Sequence, residues 1–154
     1  MDIKKLFDQL KKSDYTEFYN YETDMFSYLY RNEALVNQPF VKTFLIVSSW
    51  LGTSMRSGAW TFYEATPIED IMIAVKHLND IGESELCRIL KKGIHDYQNP
   101  LYNDEYPEEW MKESDDIDKW IIEHENWLYH WLYDYILTHE DKIIMIGGPI
   151  HENY

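Results

Sequence analysis

The sequence has few of the residues that cross-link, bend or loosen a chain. Its only cysteine is Cys87, so no intrachain disulfide can form, and a free thiol fits a reducing compartment. Six glycines leave little room for a phosphate-binding loop, and neither the dinucleotide-binding nor the P-loop spacing occurs. No run approaches the ~20 apolar residues of a membrane span, and residues 1–12 lack a signal peptide's apolar core. We therefore expect a cytoplasmic protein without membrane contact.

Basic residues are nearly missing from one third of the chain. The formal charge is −14, and residues 96–141 contain fourteen acids against only Lys112 and Lys119. Eight of these acids fall within fifteen residues, here called the acidic segment: Asp104, Glu105, Glu108, Glu109, Glu113, Asp115, Asp116 and Asp118. Such a surface repels nucleic acid and attracts basic partners over about one Debye length. The alternative is a solvated face that only keeps the protein soluble.

The remaining composition is that of a packed protein. Apolar residues make up 45% of the 154 residues and aromatic residues 16%, well above the content of a disordered acidic chain. This length suits one domain with one core. We expect residues 1–154 to form a single compact all-α domain, because helical spacing of apolar residues recurs along the chain.

Three helices are predicted before residue 58. Residues 1–12 form an amphipathic N-terminal helix, and Ser13 and Asp14 offer a cap for the second, whose apolar positions are Phe18, Tyr19, Phe26, Leu29 and Tyr30. The third starts at Pro39 and ends near Gly58. Its apolar spacing predicts that it is largely buried.

Residues 67–97 predict an antiparallel helical hairpin. Thr66, Pro67 and Glu69 have the spacing of a capping box with proline at the first helical position. Gly82 lies where a left-handed C-terminal cap is needed, and the apolar pattern repeats after it. Residues 98–106 have turn formers without a period and predict a surface loop.

The C-terminal third predicts a short helix from Pro107 and a long aromatic-rich helix over residues 116–139, about 35 Å in length. The long helix has two apolar faces. The main face is Trp120, Ile121, His124, Trp127, Leu128, Trp131, Leu132 and Tyr135; the second is Ile122, Tyr129, Tyr133 and Ile136. Either the helix lies in the middle of a bundle, or the second face forms a homodimer contact. The tail, residues 142–154, is a short strand or a docked extension.

The sequence has no recognisable motif for catalysis or metal binding. His124 and Glu125 begin like a metalloprotease helix, but Leu128 occupies the position of the second histidine. Ser54 lacks the glycine spacing of a nucleophile elbow, and Cys87 flanks a predicted apolar stripe. We expect no catalytic residue, no metal site and no cofactor.

Three parts of residues 25–140 resemble a bacterial helical family, the one that contains DNA-mimic protein 19 and is also labelled domain of unknown function 4375. The first is Ser57-Gly58-Ala59-Trp60-Thr61-Phe62-Tyr63, where the family usually has Asn-Gly-Gly-Phe-x-Gln followed by aromatic residues. The others are the hairpin broken at Ile81-Gly82 and the late helix ending at residues 135–139. The resemblance implies an all-helical fold, no known catalysis, dimerisation, and in one branch binding to a transcription factor in place of DNA.

These observations favour a non-enzymatic acidic protein-binding module. Its acidic segment is predicted to engage a basic partner such as a DNA-binding protein, with no direct contact to nucleic acid. The alternatives are an immunity or adaptor protein that binds through aromatic helix faces, and a merely solubilising acidic face.

Overall fold

Helices account for nearly all of the regular structure. The computed structural model describes residues 2–102 and 105–148, and these ranges contain eight α-helices, two single-turn 3-10 helices and no β-strand. The α-helices are α1 Ile3–Lys12, α2 Tyr19–Arg31, α3 Pro39–Ser57, α4 Ala59–Ala65, α5 Ile68–Asp80, α6 Ser84–Lys92, α7 Glu108–Thr138 and α8 Glu140–Gly147. The 3-10 helices are Tyr15–Glu17 and Pro100–Tyr102. The all-α prediction is confirmed. Among the described helices, none combines the length and the hydropathy needed to cross a membrane.

Internal contacts divide the described chain into two units. The first comprises residues 2–45 and 126–148, and the second comprises residues 46–125. Helices α3 and α7 each contribute residues to both units. The expectation that residues 1–154 form one domain stays a prediction.

Helix α1 contributes an apolar face to the core of the first unit. The Asp2 carboxylate accepts hydrogen bonds from the amides of Lys4 and Lys5, which caps the helix. Its buried residues, Ile3, Leu6, Phe7 and Leu10, follow the predicted helical spacing.

The predicted apolar positions of α2 are only partly buried: Leu29, and Phe18 just before the helix, are buried as predicted. Its buried side chains are Met25 and Leu29, whereas Tyr19 and Tyr30 are 64% and 63% exposed. Asp14 caps the 3-10 turn that precedes α2 and not α2 itself, because its carboxylate accepts from the Thr16 amide.

The first part of the tail belongs to helix α8, which packs against the first unit. Of the two predicted alternatives, a short strand or a docked extension, it is the docked extension. In α8, Ile143 is fully buried and Gly147 lies so close to Leu35 and Asn32 that an added Cβ would overlap them. The Asn32 side-chain amide also donates to the Gly147 carbonyl at 3.2 Å. Residues 149–154 of the predicted tail lie outside the described residues.

The hairpin is the main feature of the second unit. Helices α5 and α6 pack against each other, and Gly82 between them has φ +84°, as the predicted left-handed cap requires. The predicted capping box is wrong: Thr66 ends α4, and the start of α5 at Pro67 has no side-chain cap. Helix α6 ends at Lys92, so the hairpin ends five residues before the predicted end at residue 97.

Helix α4 was not predicted, and it places a buried tyrosine in the second unit. The Tyr63 hydroxyl donates to the Leu90 carbonyl at 2.7 Å and accepts from the Trp50 indole N–H at 3.0 Å. Burial raises the pKa of Tyr63, so the hydroxyl stays protonated. Gly93 gives this ring its space, because a Cβ there would overlap the ring atoms.

Helix α7 is one continuous helix of 31 residues, about 46 Å long at 1.5 Å per residue. The sequence predicted a short helix from Pro107 and a separate one from Asp116, and that break is wrong. Buried Ser114 and Ile117 continue one inward face through the expected gap, so nothing local ends the helix there.

Candidate functional site

The acidic segment extends from the loop before α7 through the first turns of that helix. Four of its carboxylates are exposed on the loop end and the first turns of α7: Glu105, Glu108, Glu109 and Asp115. Asp116 is also exposed, whereas Glu113 and Asp118 are partly buried. Asp104 lies outside the described residues. The acidic segment is therefore only partly exposed to solvent.

Asp118 holds the start of α4 in place. Its carboxylate accepts from the Ala59 amide at 2.8 Å, and Ser114 Oγ accepts from the Trp60 amide at 2.9 Å. The residue before α4 is Gly58, which has φ +94° and no side chain with which to cap the helix. Two side chains of α7 thus bind first-turn amides that lack partners within α4. The contact that the structure shows for Asp118 is therefore this cap on α4, and its predicted binding to a partner stays a prediction.

Glu113 also makes a contact within its own unit. Its carboxylate lies 2.7 Å from His95 Nε2, and the His95 ring stacks on Trp110 with a centroid separation of 4.5 Å. Asp116 lies 3.3 Å from the Lys92 ammonium, a partly exposed ion pair of small energetic weight. The Glu113 carboxylate therefore holds the His95 side chain against α7. The Asp116 carboxylate is partly neutralised by the Lys92 ammonium.

Two lysines share the solvent-facing side of α7 with the acids. Lys112 and Lys119 are exposed, and at 100° per residue they fall between Glu108, Asp115 and Glu123 along that side. They reduce the excess of negative charge on this side of the helix. The sequence showed both lysines but not that they point in the same direction as the acids.

A cleft of about 690 Å³ opens beside the acidic segment, entirely within the second unit. We call it the acidic–aromatic cleft. Carboxylates and aromatic rings line it together, with one thioether and one ammonium group: Glu64, Glu105, Glu108, Asp115, Trp60, Tyr102, Tyr106, Met111 and Lys112. The lining carries three negative charges in excess. Such a lining can bind a cation that also offers flat or apolar surface.

Hydrogen bonds and ring contacts fix the walls of the acidic–aromatic cleft. The Tyr106 hydroxyl donates to Glu64 Oε2 at 2.7 Å, and the Tyr106 ring meets Trp60 edge to face at 5.7 Å between centroids. Tyr102 and Tyr106 both contact Trp110, at 4.8 Å and 5.9 Å. The hydrogen bond to Glu64 raises the pKa of Tyr106, with burial and the Glu64 charge acting in the same direction. The cleft is thus preformed.

Burial affects two other ionisable groups in this unit. It raises the pKa of Asp118, with a contribution from the Asp115 charge, and the Ala59 amide opposes the rise. Burial also raises the pKa of Tyr97 to about 12, helped by the charge of Glu113. The Asp118 charge therefore lies at a site where it is less favourable than in water.

The predicted dimer face does not form one exposed surface. Ile136 is 1% exposed, and the Tyr133 hydroxyl lies 3.0 Å from the carbonyl oxygens of Leu10 and Ser13. Tyr129 is half-buried, and only Ile122, at 66% exposure, is open to solvent. Ile136 is therefore buried and the Tyr133 hydroxyl is held by residues of the first unit, so this part of the face is largely covered. The main face is also not wholly buried, because Trp127 is 43% exposed.

Groups that could hold a metal or act as a nucleophile are scattered. Within residues 2–102 and 105–148, no three His, Cys, Asp or Glu side chains are arranged to hold a metal ion. His124 Nδ1 lies 2.7 Å from the Trp120 carbonyl, and its ring stacks on Trp120. Half-buried Cys87 donates its thiol proton to the Val75 carbonyl at 3.4 Å.

Sequence reasoning missed part of the lining of the cleft. Glu64 lies 40 residues before the acidic segment, Trp60 was used only for the family resemblance, and Tyr102 and Tyr106 fell in the predicted loop of residues 98–106. The density of aromatic residues on either side of Pro107 is the one signal that could have drawn attention to this region.

Comparison with known proteins identified no relative of this chain. No protein-family model, curated protein or solved structure matches the chain. The resemblance to the DNA-mimic family therefore stays a prediction that rests on the residues from which it was made.

Proposed function

We propose that this protein is a non-enzymatic protein-binding module whose exposed acidic residues engage the basic surface of a partner protein. The observation that carries the proposal is the grouping of Glu105, Glu108, Glu109 and Asp115, all exposed, at the start of α7. A continuous helix holds the backbone of the last three at fixed spacing, so binding has to order their side chains but little backbone.

The exposed position of these carboxylates determines how such binding depends on salt. Exposed charges are screened over ~10 Å at 0.1 M ionic strength, so complementary charges act mainly on the association rate and on partner choice. Association should weaken as salt is raised, and most of the loss should appear in the association rate constant.

A DNA-binding protein is the more specific partner that we propose. On the solvent-facing side of α7, five carboxylates span residues 108–123, about 22 Å of helix, or roughly one per 4–5 Å. One strand of duplex DNA carries one charge per ~3.4 Å. Lys112 and Lys119 lower the net negative charge per unit length on this side of α7 to about half that of one DNA strand. A single copy thus supplies a partial imitation of a phosphate row.

The alternative, an adaptor or immunity protein that binds through aromatic helix faces, has less support. On α7, Ile121, Leu128, Leu132 and Tyr135 of the main face are buried. Trp127 and Ile122 are the members of the two predicted faces of α7 whose exposure exceeds 40%. Binding that is insensitive to salt would favour this alternative over the acidic surface.

The test is a capture experiment on immobilised protein. Native lysate is applied at low salt, and bound proteins are eluted first with rising salt and separately with duplex DNA, then identified by mass spectrometry. The proposal predicts that a DNA-binding protein is retained and that DNA displaces it. If no basic protein is retained, the charge serves solubility and the proposal is wrong.

A further inference from the structure

The acidic–aromatic cleft combines two features that exposed acidic surfaces usually lack. Its carboxylates approach from three separate places, since Glu64 belongs to α4, Glu105 to the loop, and Glu108 and Asp115 to α7. Its floor and walls include rings that are already packed against one another. A cation bound there would lose less freedom and gain more contact than one bound to an open helix face.

The rings favour one kind of cation over another. A planar guanidinium group stacks on aromatic faces and donates several hydrogen bonds in its own plane, so it can contact a ring and carboxylates at once. A lysine ammonium is compact and strongly hydrated and gains less from a flat ring. The acid-and-ring lining of this cleft therefore matches arginine better than lysine.

The size of the cleft suits a side chain that arrives with its backbone. A volume of about 690 Å³ lies within the ~300–1,000 Å³ range of ligand pockets. This volume exceeds the needs of one guanidinium group, so adjoining residues of a partner chain also fit. The Met111 thioether and the Trp60 ring offer apolar surface for the methylene part of the side chain.

From these observations we propose that the acidic–aromatic cleft receives an arginine side chain of the basic partner. The proposal rests on the proposed function, because it names the group through which that partner is recognised. Trp60 supplies the ring, and Glu108 and Asp115 supply carboxylates on the α7 side. The exposed acids outside the cleft, such as Glu109, add long-range attraction only.

The experiment is an NMR titration of the ¹⁵N-labelled full chain with three capped tripeptides, Gly-Arg-Gly, Gly-Lys-Gly and Gly-citrulline-Gly. Citrulline keeps the shape of arginine without its charge. We expect the arginine peptide to shift the Trp60 indole N–H signal and the backbone amide signals of residues 105, 106 and 108–112. It should bind at least about fivefold more tightly than the lysine peptide, and the citrulline peptide should leave these signals in place.

Two double variants separate the cleft from general charge. E108Q/D115N removes two carboxylates that line the cleft, and E109Q/D116N removes two exposed carboxylates of the same helix outside its lining. The first should weaken binding of the arginine peptide about fivefold, as expected for two partly exposed charge contacts, and the second less than twofold. Circular dichroism melts of both variants are needed to check that each remains folded.

Two results would overturn the proposal: equal affinity for the arginine and lysine peptides, or equal weakening in both variants. Either result would reduce the cleft to one part of a diffuse acidic surface. If lysate capture succeeds while the arginine peptide leaves the cleft signals in place, the arginine proposal alone fails. If the peptide binds in the cleft while no basic protein is captured, the proposed function fails and the cleft remains an arginine site.

Discussion

Replacement of Asp118 by alanine tests how α7 and α4 are joined. The substitution removes the acceptor of the Ala59 amide, which is partly buried at 2.8 Å from the carboxylate. An amide left without an acceptor in such a place costs ~1–3 kcal/mol. We expect the free energy of unfolding to fall by about 2 kcal/mol, which for a protein of this size lowers Tm by about 4–8 °C.

Urea denaturation followed by circular dichroism measures this loss, with Asp115→Ala as the matched control. Asp115 is exposed, so its removal should change stability by no more than ~0.5 kcal/mol. Asp118→Asn keeps an oxygen acceptor and should lie within about 1 kcal/mol of the wild type. If Asp118→Ala is no less stable than Asp115→Ala, the capping role assigned to Asp118 is wrong.

The stability that the wild type has relative to Asp118→Asn should depend on pH, and the raised pKa of Asp118 gives the direction of this dependence. The pKa of Asp118 is raised in the folded protein above its ordinary 3.8, so the folded state binds the proton more tightly than the unfolded state. The wild type should therefore gain stability relative to Asp118→Asn as pH falls through the folded pKa towards 3.8. A constant difference between the two proteins over this range would show that the Asp118 charge is not destabilised by burial.

Two further predictions concern the packing around Tyr63. Gly93→Ala should destabilise the protein by about 2–3 kcal/mol, because the added Cβ overlaps the buried Tyr63 ring. The control is Gly52→Ala, on α3 with open space around it, which should be neutral or stabilising by up to ~1 kcal/mol. Equal effects of the two substitutions in urea denaturation would refute this reasoning. Tyr63→Phe should cost about 2–4 kcal/mol, because the Leu90 carbonyl and the Trp50 indole N–H both lose their buried partner; a thermal melt that matches the wild type would show that neither bond matters.

The sequence predicted the elements whose signals are local. The apolar spacing in α1 and α3 and the left-handed glycine at residue 82 depend on residues within a few positions of one another, and these predictions hold. Helix α4 was missed because its first-turn amides are capped by Ser114 and Asp118, more than 50 residues away. When the capping side chains come from a distant part of the sequence, the residues at the start of the helix carry no capping signal.

The false break before Asp116 has a related cause. Residues 113–116 are all polar and show no apolar spacing in sequence, whereas in the folded chain Ser114 is buried and its hydroxyl accepts from the Trp60 amide of another helix. Counting carboxylates identified the acidic segment but could not separate those that face solvent from those that face α4 or His95. That separation depends on the direction of each side chain along α7, and thus on where the helix begins.

The most direct test of the account compares capture by two charge-reversed proteins. In one, Glu105, Glu108, Glu109 and Asp115 become lysine; in the other, the exposed acids Glu17, Asp24, Glu33 and Glu69 do. Each variant carries four reversals, which change the formal charge by eight units, from −14 to −6.

The measurement is the amount of each DNA-binding protein that the wild type and the two variants retain from native lysate at low salt. The account predicts that retention is lost in the first variant and kept in the second, with both folded. Equal loss in both variants would show that overall charge and not the start of α7 attracts the partner. Equal retention in both would exclude the exposed acids of the segment as the binding surface.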